Sequence, residues 1–271
     1  MNSIRTAIIA VIAGLVFAGG RIPAHAFLGE DYFRVKNGPV FAGKNVFSFL
    51  GYKYTARNQG SDSWDYWEIR PGLGYAFAEW IYLGLDCVIG KYGPEFLADS
   101  KKDRYAGDSS ILLDSVEFDV ILAMTDSGKV PVQMGIDFFY RCPTDRAQDV
   151  LLRDHSGGFT FILAEAYGKG HNSTVNLSYW RAGEKDFFQW AVGSAFQLAQ
   201  SGQAIFKLGV EIFGDFSGHS AIIPGISTVI SDSFSIKAGV LVGFSQYTGE
   251  HRHDGLKEDD LSFELAIVKK W

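Results

Sequence analysis

The sequence predicts an all-β protein: a closed antiparallel transmembrane β-barrel of about 12 strands with both termini in the periplasm. Three observations predict it. Apolar and polar residues alternate with period two through most of the chain. The connections alternate between short and long. The last predicted strand ends on an aromatic residue, Trp271. The pattern is plainest in WDYWEIRPGLGYAFAEWIYLGLDCVIG, from Trp64 to Gly90, which reads as two strands turned at Ala78-Glu79. In its second half Ile81, Leu83, Leu85, Cys87 and Ile89 alternate with Trp80, Tyr82, Gly84, Asp86 and Val88.

Composition permits this fold without deciding it. A content of 47% hydrophobic and 15% aromatic residues, with 31 Gly and only 7 Pro, suits many short strands, but a soluble sandwich would share it. The first 26 residues read as a signal peptide: Arg5 gives a positive start, Ala7 to Gly20 is apolar or small, and Ala24-His25-Ala26 is a cleavage site. The mature chain then begins at Phe27, and no Cys follows the cleavage site, which argues against a lipoprotein. No later apolar run approaches the roughly 20 residues of a membrane helix. The mature chain carries 23 basic and 31 acidic residues, a net charge of -8, which argues against nucleic acid as a partner, since that needs a basic surface. The only cysteines, Cys87 and Cys142, fall at mid-strand and at an outer strand end, which argues against a disulfide.

Three regions follow: the signal peptide (1–26), a periplasmic N-terminal segment or plug without clean periodicity (27–43), and the barrel (44–271). Strands are predicted at Lys44 to Thr55, on either side of the Ala78-Glu79 turn, and at Ile111 to Met124, Lys129 to Arg141 and Ser156 to Tyr167. The later ones are Ser173 to Arg181, Phe187 to Gln200, Gln203 to Asp215, His219 to Ile230, Ser233 to Tyr247 and Asp260 to Trp271. Thr125-Asp126-Ser127-Gly128, Ser201-Gly202 and Ser231-Asp232 are turn chemistry. Long charged connections run from Lys91 to Ser110, Cys142 to His155 and Thr248 to Asp259, which makes that end the extracellular one.

Aromatic residues gather at both strand ends, as interfacial girdles require. Tyr75, Phe77, Trp80, Tyr167, Phe234 and Trp271 fall at periplasmic ends, and Trp64, Trp67, Phe138, Tyr140, Phe188, Trp190 and Tyr247 at outer ends. Proline cannot donate to a ladder, so bulges are expected at Pro71 and Pro224.

If the apolar face meets lipid, the other lines a lumen. The candidate pore-lining residues are Glu68, Arg70, Asp86, Glu117, Asp119, Asp137, Lys207, Glu211, Lys237 and Glu264. Six acids (Asp86, Glu117, Asp119, Asp137, Glu211, Glu264) and the Glu68/Arg70 pair are expected near mid-height, where a ring of acid would bias a pore toward cations. The same charges read equally as a structural network that fills the lumen. Val150-Leu151-Leu152 lies in a connection that reads either as a solvated outer loop or as one that folds inward to constrict the pore.

An outer-membrane lipid hydrolase is the main alternative. It requires Ser and His within reach on one face near the outer leaflet. His155-Ser156 and His219-Ser220 lie at outer strand ends, but adjacent strand residues face opposite ways. His171-Asn172-Ser173 is placed in a periplasmic turn. His251-Arg252-His253-Asp254 offers metal ligands in an exposed acidic loop where chance placement is the simpler reading. No catalytic residue, metal or cofactor is expected, and no nucleotide fingerprint is present.

The spacing of glycines and aromatics in WEIRPGLGYAFAEWIYLGLD, GVEIFGDFSG and IPGISTVISDSFSIKAGVLVGFS resembles the outer-membrane transporters of the meta-pathway phenol-degradation family. That resemblance spans most of the mature chain. It implies passage of small aromatic or hydrophobic molecules and carries over no catalytic residue. The expectation is a passive channel or transporter in the bacterial outer membrane. Its partners would be outer-membrane lipid and lipopolysaccharide, the barrel-assembly machinery and a small solute, with a surface structural or adhesive role as a third reading.

Overall fold

The computed structural model describes residues 45–59, 62–92, 110–125, 132–145, 147–148, 154–167, 171–202, 204–216, 220–231, 234–243 and 261–271. The predicted signal peptide and the segment 27–43 lie outside these residues, as do Val150-Leu151-Leu152, His219 and His251 to Asp254. The strands are β1 (Asn45–Gln59), β2 (Asp62–Ala78), β3 (Ile81–Tyr92), β4 (Ser110–Ala123), β5 (Val132–Pro143) and β6 (Ser156–Tyr167), followed by β7 (His171–Ala182), β8 (Lys185–Ser201), β9 (Ala204–Asp215), β10 (Ser220–Ser231), β11 (Phe234–Gly243) and β12 (Leu261–Lys270). Each pairs antiparallel with its neighbours in sequence, and β1 pairs with β12, which closes the barrel. Among the described residues no helix is long and apolar enough to cross a membrane, a fact that bears only on helical spans.

Closure is built by residues at both extremes of the sheet. Ten register pairs run from Phe47↔Lys270 to Ala56↔Leu261. Beyond them the Trp271 amide donates to the Val46 carbonyl at 2.8 Å and its indole Nε1 to Ser48 Oγ at 3.1 Å. Lys269 Nζ lies 5.1 Å from the centroid of that indole ring. The terminal aromatic thus extends the seam by one residue.

The faces are inverted relative to a soluble β protein. Large apolar side chains such as Leu83, Phe118, Phe206 and Leu208 are exposed on the outer surface, Leu208 at 46%, whereas the inward Asp137 is 0% exposed. A soluble sandwich buries the first kind of residue and exposes the second. Outward aromatics mark both rims. Tyr75 and Phe77 pack edge to face at 4.6 Å near the β2–β3 turn. Across β6, β7 and β8, Phe159–Tyr179 and Tyr179–Phe188 lie 5.7 and 4.9 Å apart near the loop end.

The prolines are accommodated differently from expectation. Neither Pro71 nor Pro224 sits at a register shift. Each stays in register on one side, as Leu50↔Pro71 and Pro224↔Val210. On the other side pairing skips from Ile69↔Ile89 to Gly72↔Asp86, and from Ile222↔Val242 to Gly225↔Gly239, with no slip. In an antiparallel strand a residue's N–H and C=O point to the same neighbour, so a proline forfeits one ladder and leaves the other intact. Register shifts occur instead between Ala76/Ala78, Val88/Ile89, Gln197/Ala199 and Val229/Ser231.

Among the described residues, apolar clusters form inside the cylinder. Phe47, Ala76, Tyr82 and Ile121 pack with Ile162 toward the short-turn end, with the Phe47 and Tyr82 rings 5.8 Å apart. The Tyr82 ring occupies the space that a side chain at Gly74 would need. Ala221, Ile223 and Leu241, with Phe213, form the second cluster on β9 to β11.

Strand spacing at β6–β7 depends on Gly158, directly opposite Trp180. A Cβ there would lie 2.1 Å from the Tyr179 carbonyl oxygen and 2.5 Å from Trp180 Cα, which are backbone atoms with no rotamer to yield. Gly158→Ala should therefore cost about 1–3 kcal/mol in denaturant unfolding from detergent micelles. Gly51→Ala, whose nearest neighbour would be 3.5 Å away, should change stability by less than about 0.5 kcal/mol. Equal effects of the two would contradict this packing.

Candidate functional site

The inward positions of β12, β1, β2, β3, β4 and β5 carry most of the lumen's charge. Lys53 on β1 faces Glu68 on β2 and Glu264 on β12 in direct register. Arg70 lies two residues beyond Glu68 on the same face, with its Nε on Glu68 Oε1. Asp86 on β3 is directly across from Glu117 on β4, which is across from Arg141 on β5. Arg141 donates through Nε at 2.8 Å and approaches through Nη2 at 2.6 Å, both to Glu117 Oε2. Arg70 also lies within electrostatic reach of Glu117 and Asp86. Asp119, two residues beyond Glu117, faces Gly84, whose missing side chain leaves its carboxylate room.

These groups are largely withdrawn from bulk water: Glu68 is 3% exposed, Asp86 7%, Glu264 5% and Lys53 8%. Buried charges are retained only when paired or coordinated, because removing one ion from water costs several kcal/mol. The ladder Glu264–Lys53–Glu68 and the cluster around Arg70 and Arg141 supply that pairing. Glu68, Asp86, Glu117 and Asp119 gather around the two arginines, with Lys53 also opposite Glu68.

All ten predicted lining residues face inward, but the acids do not form one ring. Asp86, Glu117 and Asp119 converge. Asp137, in register with Ile121 and Thr160, is buried nearby on β5. Glu211 stands apart on β9 between Gly193 and Ile223, and Lys207 and Lys237 flank Ser227. Alternation reveals which way a residue faces. Its height depends on strand tilt and register, which alternation does not contain. The wall diametrically opposite β4 is β10 with its neighbours, and it presents the apolar Ala221, Ile223 and Leu241.

Lys53 and Arg141 complete the charge pairing and were not among the predicted site residues. Lys53 shares its face with Phe47, so the first strand's inner side did not read as polar. Trp180 and Phe187 form another unpredicted pair, stacked at 5.5 Å and 21°. They share the inward parity of Asn176 and Ser178 at the loop end, where aromatic residues read as girdle.

The outer rim at β5 is tied down by Thr144. Its Oγ1 donates to the Leu113 carbonyl at 2.7 Å and accepts from the Ala147 amide at 3.2 Å, capping one helical turn. His155 docks on this turn: Nδ1 is 3.1 Å from Tyr140 Oη and 3.5 Å from Cys142 Sγ, and Nε2 is 3.3 Å from Gln148 Nε2. No serine hydroxyl is among its partners, so the described residues do not assemble the Ser–His pair of a hydrolase around it. His171 and Ser173 belong to β7 rather than to a turn. They face outward, with Ser173 Oγ 2.8 Å from Ser194 Oγ and His171 against Phe196 at 5.7 Å. Both cysteines are free thiols. They flank Val116 on alternate strands, so their Cα atoms are roughly 10 Å apart, beyond disulfide reach.

No protein-family model matches the sequence, and no curated protein matches it. Solved structures match the fold. An outer-membrane channel from Pseudomonas putida F1 aligns with a TM-score of 0.55 at 7% identity, covering 93% of this chain and all of its own 100%. The NanC porin aligns at 0.52 and 8% identity, covering 83% of this chain and 100% of its own. The KdgM porin, solved in complex with disordered oligogalacturonate, aligns at 0.50 and 6%, covering 82% and 98%. The fold is thus that of outer-membrane porins and channels, and its apolar outer face places the chain in the bacterial outer membrane.

The Arg141–Glu117 pair should be energetically coupled. Arg141→Met alone strands buried acid and should destabilise the barrel by about 3–5 kcal/mol. In a double-mutant cycle with Glu117→Gln, measured by urea unfolding in micelles, a coupling of about 1–3 kcal/mol is expected, and strict additivity would contradict the pairing.

Proposed function

We propose that this barrel is a passive channel or transporter for a small solute with an apolar or aromatic portion and a polar or cationic group. The observation that carries the reading is the contrast between two walls of one closed barrel. Carboxylates and their partners line β2 to β5, while the opposite side carries an apolar patch of Ala221, Ile223 and Leu241, with Glu211, Lys207 and Lys237 beside it. A solute passing between them meets a dense set of charged groups on one flank and an apolar patch on the other. The Trp180–Phe187 stack adds a flat apolar surface at the loop end. This reading agrees with the resemblance to transporters of the phenol-degradation pathway, and similarity of fold to porins and channels supports passive permeation. Lipopolysaccharide and phospholipid around the outward face, and the barrel-assembly machinery acting on the terminal strand, complete the proposal.

In planar bilayers the purified protein should give discrete conductance steps with preference for cations, since carboxylates on a pore wall attract them. Glu117→Gln/Asp119→Asn should move the reversal potential in a salt gradient toward zero. Liposome swelling should admit small aromatic amines faster than sugars of similar mass. Absence of both conductance and uptake from correctly folded protein would overturn the proposal.

A further inference from the structure

We propose that Asp86, Glu117 and Asp119 form a divalent-cation site on the lumen wall, matched to calcium rather than magnesium. The three carboxylates each offer one oxygen, and these oxygens all lie within 4.8 Å of one another. The arrangement is fixed by the sheet: Asp86 and Glu117 are a direct cross-strand pair, and Asp119 follows on the same face of β4. Like charges directly opposite each other destabilise a sheet unless something stands between or beside them.

The second observation is Asp86 itself. Its side chain is 7% exposed, and among the described residues its Oδ1 has no hydrogen-bond donor. The charged groups acting on it are Glu117 and Asp119 on one hand and Arg70 and Arg141 on the other. Both guanidinium groups are already engaged, Arg70 with Glu68 and Arg141 with Glu117. Glu68, Asp86, Glu117 and Asp119 surround these two guanidinium groups, an acidic setting that suits a divalent ion.

Ligand number selects among divalent ions. Magnesium demands near-ideal octahedral geometry, holds its waters tightly and is usually bound through one or two carboxylates. Three carboxylates gathered on one wall suit calcium, whose coordination is flexible, with lumen water completing its six to eight oxygen ligands. Binding is independent of conduction. On the channel reading above, which this inference otherwise does not need, the ion would neutralise the acid that favours cations.

The test uses the folded mature protein in micelles after treatment with a chelator. Calorimetric titration with calcium should show one saturable site per chain, at least about tenfold tighter than for magnesium. Terbium should bind with tyrosine-sensitised luminescence, because Tyr82 and Asp119 both border the Gly84 position, at 3.1 and 3.3 Å from its would-be Cβ. Asp86→Asn/Asp119→Asn should weaken calcium binding by about tenfold or more while heat-modifiable gel mobility shows the barrel intact. Glu165→Gln, an acidic position facing outward from β6, should leave the affinity unchanged. No saturable binding to folded wild-type protein up to about 1 mM calcium, the weak limit of protein calcium modules, would overturn the site. Equal affinity in wild type and the double variant would do the same.

Discussion

A polypeptide in hydrocarbon has no water to satisfy its backbone amides and carbonyls, and each unsatisfied group costs several kcal/mol. A sheet meets that demand only by joining its first strand to its last. Here the β1–β12 seam is as regular as any interior ladder, from Phe47↔Lys270 to Ala56↔Leu261, and Trp271 adds its own amide and indole to it. The two strand prolines obey the same constraint. Each stands in a strand that keeps register with one neighbour while its missing donor interrupts pairing with the other, so the loss stays local.

Closure dictates the chemistry of both faces. Once the ring is complete, alternate side chains must enter hydrocarbon, which assigns Leu83, Phe118 and Leu208 to the outside. The remaining residues are confined to a narrow interior, where charges survive only by pairing. The runs Glu264–Lys53–Glu68 and Asp86–Glu117–Arg141 are therefore consequences of register as much as of composition. The apolar patch at Ile223 and Leu241 gives the opposite wall a different chemistry.

Strand number, facing and the β6 limits were legible in the sequence because period-two alternation and turn residues are local signals. The ten lining residues were legible as a face for the same reason. Their grouping was not. Which acid meets which cation depends on register across strands far apart in the chain, and strand tilt then sets the height. Lys53 was obscured because Phe47 turns the inner face of β1 apolar near the short-turn end. The Trp180–Phe187 stack was obscured because it depends on cross-strand register between β7 and β8, which alternation along one strand does not contain. The prolines were misjudged because a bulge is only one way to absorb a missing donor, and a one-sided gap in the ladder is another.

The central claim is that apolar side chains of a closed barrel face lipid while charged ones face its interior. A nitroxide scan of β9 in liposomes, on a Cys87→Ser/Cys142→Ser background, tests it most directly. Labels at Phe206, Leu208, Val210 and Ile212 should be relaxed by oxygen, which concentrates in lipid, and labels at Lys207 and Gly209 by a water-soluble nickel complex. Strict alternation of the two accessibilities is the predicted result. Oxygen and nickel profiles without alternation, or outward positions shielded from both reagents, would contradict the account.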